Sequence, residues 1–181
     1  MYRHNSTLPS RSAIIRRIVV YSILFFTLCV AQCSFFAGLS FLRAVPDIVM
    51  GAVVAIALLD TQKSAIICGI AAGTMIDALG GSGISLSPIA FMIIAILCSE
   101  IAKKMLPNFL SWAVMLIPAV ALRSLFTLIS IAVSFDGIAL SSVFSSILLP
   151  EAILTFFLSL PIFFAVKFCV KIADAKNKFK L

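Results

Sequence analysis

Residues 69–91, GIAAGTMIDALGGSGISLSPIAF, decide how this chain reads. Gly69, Gly73 and Asp77 follow one another at four-residue steps, so a helix drawn through them carries all three on one face. That helix runs into a glycine-rich corner at Gly80, Gly81 and Gly83, and a second apolar stretch starts a few residues later. Small residues at every fourth position let a second helix come close inside lipid. A carboxylate on the same stripe has to face protein, headgroups or water, because charge in hydrocarbon is costly. The stretch predicts a helix hairpin built for close helix contact, not a catalytic loop.

The rest of the chain supports a membrane reading. It has 181 residues, is 62% hydrophobic and has a mean hydropathy of +1.21. A spanning helix needs roughly 20 apolar residues, and about six such blocks follow one another with short gaps. The expected fold is therefore all-α: a polytopic membrane protein of six transmembrane helices in one domain over residues 13–172. Residues 1–12 are expected to form a disordered polar tail, and residues 173–181 a basic one.

The spans are expected at Ile18–Leu42, Pro46–Leu59, Ser64–Leu79, Ile84–Ala102 and Asn108–Ser134. The sixth begins between Val143 and Pro150 and ends near Val170, with Ser141–Ser146 as a short interfacial stretch. The first block follows Arg11, Arg16 and Arg17 as in a signal peptide, but is too long for a signal h-region of about 7–15 residues. It reads as an uncleaved span. Pro46 suits the first turn of a new helix, and Asp47 beside it favours the positive end of the helix dipole.

The net charge of +7 sits in short basic clusters between apolar blocks rather than on a soluble surface, which argues against nucleic acid. With the N-terminus inside, every Lys and Arg except Arg43 and Arg123 falls on the cytoplasmic side. That bias predicts cytoplasmic N- and C-termini. The tail lysines are expected to track anionic lipids. The five cysteines all lie in apolar blocks, where they read as small buried hydrophobes, and the single histidine, His4, is in the polar tail. Neither a metal site nor a cofactor is expected.

Two further polar groups stand inside apolar blocks. Arg123, near the middle of the fifth span, is ~16 Å deep when counted from Ser134. Its expected partner is Glu151 across the hairpin of spans five and six. If the sixth helix starts at Val143, Glu151 lies ~12 Å deep and within reach; if Pro150 is the first helical residue, the pair fails. Glu100 reads as an ordinary i,i+3/i+4 partner of Lys103 and Lys104. Pro118 and Pro161 are expected to kink their helices. No paired-carboxylate metal motif, Gly-x-Ser-x-Gly elbow or P-loop is present, so no enzyme is expected.

The succession Pro46-Asp47, a short span, Gly69-x-x-x-Gly73-x-x-x-Asp77, a small-residue corner and Leu86-x-x-x-Ala90-Phe91 resembles the rod shape-determining MreD family. The detailed likeness covers about residues 45–92 and includes Gly81; Ser85 and Ser87 stand where the family has a usual glycine and a frequent histidine. The resemblance implies a non-enzymatic scaffold of the bacterial cell-elongation complex in the plasma membrane. Its implied partners are MreC, the glycosyltransferase and transpeptidase of lateral peptidoglycan synthesis and, indirectly, the MreB filament. Pro46, Asp47, Gly69, Gly73, Asp77 and Gly81 would be the partner-docking residues. The family is similar in fold to the substrate-binding subunits of energy-coupling-factor vitamin transporters. A vitamin-binding subunit is therefore the alternative reading, although the chain offers few aromatic groups for a pocket.

Overall fold

A computed structural model describes residues 11–36, 46–80, 86–134 and 149–174, all helical or in short turns. The helices are α1 (Arg11–Val30), continued by a π-helical turn (Ala31–Phe36), then α2 (Ile48–Leu59) and α3 (Gln62–Gly80). They are followed by α4 (Ser87–Ala102), α5 (Phe109–Ser134) and α6 (Leu149–Asp174). Three segments, Arg11–Ser34, Phe109–Ser130 and Pro150–Ala173, are long and apolar enough to cross a membrane. Gly81, Ser141–Ser146, residues 1–10 and residues 175–181 lie outside the described residues.

The short helix α2 is the centre of the bundle. Every residue from Ile48 to Leu58 is buried, against each of the five other described helices. A helix enclosed on all sides is apolar on all sides, so its sequence, IVMGAVVAIALL, shows no polar face. Twelve residues rise ~18 Å, well short of the ~30 Å hydrocarbon thickness of a bilayer. The helix can therefore end inside the protein, and its ends need internal partners for their unpaired backbone groups.

Close approach is bought with small residues. A Cβ on Gly73 would stand 2.5–2.7 Å from the Pro88 and Ser87 backbone of α4, and one on Gly69 would stand 2.9 Å from the Phe91 carbonyl oxygen. The α3–α4 pairing is the most extensive in the molecule. Gly51 plays the same part between α2 and α6, where a Cβ would collide with the Ser159 side chain. Away from these contacts, Trp112 and Phe163 pack with Phe109 and Phe164 at centroid distances of 5.3–5.7 Å, joining α5 to α6. The Trp112 indole Nε1–H donates to the Gly51 carbonyl at 3.2 Å.

Candidate functional site

Three of the residues singled out in the sequence, Asp47, Asp77 and Arg123, are linked near the N-terminal end of α2. Asp47 is the N-cap: one carboxylate oxygen accepts from the Met50 N–H at 3.1 Å. Pro46 stands one position before that cap and two before the first helical residue, outside the first turn. The Val49 N–H donates to Gln32 Oε1 at 3.1 Å, and the Asp47 N–H donates to Thr155 Oγ1 at 2.8 Å. Gln32 lies in the π-helical turn after α1, and Thr155 on α6. Side chains from two other helical segments thus satisfy the backbone at this buried helix start.

The second carboxylate oxygen of Asp47 receives the Arg123 Nε–H at 3.0 Å. The same guanidinium donates through Nη2 to Ser87 Oγ at 3.1 Å, and its Cζ lies 5.0 Å from the Phe91 ring centroid. The Ser87 N–H in turn donates to an Asp77 carboxylate oxygen at 3.2 Å. Leu86, the N-cap residue of α4, supplies no side-chain cap bond. Asp77 therefore caps α4 from across the corner, where a negative group also suits the helix dipole. Asp47, Arg123, Ser87 and Asp77 thus form a chain of contacts through α2, α5, α4 and α3. Asp47 (3% exposed) and Ser87 (6%) are buried, so the interactions act where solvent screening is weak.

Three expectations need correction. Arg123 pairs with Asp47, not with Glu151. Helix α6 starts at Leu149, and Glu151 sits half-buried in its first turn. Val143, the alternative start on which the depth argument for Glu151 turned, lies outside the described residues; α2, lying centrally, brings Asp47 to the arginine. Gly69 and Gly73 are buried against α4 of the same chain and present no free stripe to an outside helix. Pro46 and Asp47 are likewise enclosed. The short connection makes α4 the nearest helix available, so the small-residue stripe is used within the hairpin.

At the opposite end of α2, Asp60 accepts from Tyr21 Oη at 2.6 Å and pairs with Arg17 at 3.1 Å. It also receives the Thr61 N–H at 2.7 Å. Nearby, Arg16 donates to the Ala173 carbonyl oxygen near the end of α6, at 3.1 and 2.6 Å. Gln62 and Lys103 both reach Glu100. Sequence reading did not identify Tyr21, Gln32, Asp60, Ser87 or Thr155 as functional, because each is a single polar residue whose partner lies on another helix. Among the described residues no three His, Cys, Asp or Glu side chains form a metal-binding group.

These features define an all-helical protein with, among the described residues, three helices long and apolar enough to cross a membrane, pinned internally by buried polar contacts. No protein-family profile, curated protein or solved structure matches the chain significantly.

Proposed function

We propose that the chain is a multi-pass protein of the bacterial plasma membrane with six spans and cytoplasmic termini. It acts there as a non-enzymatic scaffold of the cell-elongation complex, in the manner of the MreD family. The observation that carries this reading is the clamp: Asp47 and Asp77, two residues of the resemblance, are joined through Arg123 and Ser87. Such a network suits a protein whose polar groups hold a rigid helix arrangement for partners to dock on. In this role the residues of the resemblance shape the docking surface from within, and partners such as MreC meet the outward faces of the helices. The proposed orientation draws support from the basic residues around Asp60 and Glu100, namely Arg16, Arg17, Lys63 and Lys103, set against Arg123 at the other end of α2.

A pull-down of the tagged protein from its own host in mild detergent tests the reading. Recovery of MreC or the wall-synthesis enzymes, lost on Arg123→Gln, is the expected result. Recovery of a transporter ATPase with its coupling subunit would overturn it in favour of the vitamin-binding alternative.

A further inference from the structure

Helices α1 and α3 leave an outward-facing groove of about 960 Å³ between them. Its walls are apolar, with Ile18 and Phe26 on one side and Ile67 and Ala71 on the other, while Arg17 and Lys63 stand at one end. Both helices run away from that basic end, since Arg17 of α1 and Lys63 at the start of α3 flank Asp60. From Lys63 to Met75, which also lines the groove, α3 rises ~18 Å. One leaflet of a bilayer is about 15 Å deep, half of the ~30 Å hydrocarbon core. The groove thus has the length of an acyl chain in one leaflet and carries its cations where the headgroup would lie. Arg17 shares its charge with Asp60, but Lys63 has no carboxylate partner among the described residues.

We infer that this groove is a binding site for an anionic glycerophospholipid, with the phosphate at Lys63 and Arg17 and one acyl chain between α1 and α3. The charge at the mouth selects an acidic headgroup, because a lysine near the surface favours anionic lipid electrostatically. The exposed walls, Ile18, Phe26 and Ile67 among them, accept a flexible chain without displacing the core. This inference rests on membrane embedding and is independent of the scaffold role.

The test uses the purified full-length protein in detergent micelles, with phosphatidylglycerol and phosphatidylcholine of equal chain length as probes and native mass spectrometry as readout. The wild type should retain phosphatidylglycerol in preference. Lys63→Gln should weaken that retention about five-fold, the factor one surface lysine supplies. Ala71→Phe, which fills the groove from an exposed position, should abolish retention, and Lys104→Gln, outside the groove, should leave it unchanged. Equal losses with Lys63→Gln and Lys104→Gln would mean diffuse headgroup attraction and overturn the site, as would unaltered retention in Ala71→Phe. A photo-crosslinker at position 67 should capture lipid in native membranes; capture of a polypeptide instead would overturn the inference.

Discussion

The two ends of α2 solve one problem in different surroundings. Each carries an aspartate met by an arginine from a distant helix: Asp47 by Arg123 and Asp60 by Arg17. At the Asp47 end the arginine side chain is 17% exposed, against 31% for Arg17. Arg123 is shared by α2 and α4, and Thr155 and Gln32 bring α6 and the π turn to the same helix start. At the Asp60 end the carboxylate has a second strong donor in Tyr21 and lies beside exposed Thr61 and Lys63. Both carboxylates are buried, at 5% and 4% side-chain exposure, so the difference lies in what remains when the cation goes. Among the described residues Asp60 keeps a hydroxyl and a backbone donor, Asp47 a backbone donor alone. The difference teaches that similar residue pairs in one fold can carry unequal loads.

Breaking the Asp47–Arg123 pair should have the largest effect. Arg123→Gln leaves Asp47 enclosed without its cation and should cost about 3 kcal/mol, seen as a lowered thermal midpoint in detergent by the fluorescence of buried Trp112. Next comes the packing that holds Ser87 in position. Gly73→Ala forces α3 from the α4 backbone and should cost about 2 kcal/mol. Maleimide should then label Cys98, 3% exposed in α4, faster than in the wild type. At the Asp60 end, Tyr21→Phe removes a hydrogen bond but leaves Arg17 in place, so a loss of about 1 kcal/mol is expected in the same thermal assay. Arg17→Gln should be smallest, at about 1 kcal/mol and reduced further by salt, because Tyr21 and the Thr61 N–H still donate to the buried Asp60 carboxylate and the guanidinium is partly exposed. A loss from Arg17→Gln equal to that from Arg123→Gln would remove the distinction between the ends.

The helices were legible because apolar blocks and their breakers are local. The expected second span, Pro46–Leu59, differs from α2 only at its start, and Asp47 was readable as a residue for a helix N-terminus. The centrality of α2 was not legible, since a helix that is apolar all round gives no sign of which neighbours surround it. The partner of Arg123 was missed for that reason: Asp47 is 76 residues away, while Glu151 lay across the adjacent hairpin. The glycine stripe announced a close contact without naming the helix that makes it. Ser87, noted only as a departure from the family pattern, joins Arg123 to Asp77 through both its hydroxyl and its backbone N–H. Its role depends on a fold that brings α4 and α5 together, which local spacing does not encode.

The most direct test of the clamp is a pair of double-mutant cycles, Asp47→Asn with Arg123→Gln and Asp60→Asn with Arg17→Gln, read as unfolding free energies in mixed micelles. The clamp predicts a coupling of about 2 kcal/mol for Asp47–Arg123 and less than about 1 kcal/mol for Asp60–Arg17. Negligible coupling between Asp47 and Arg123, or the reverse order of the two pairs, would contradict it.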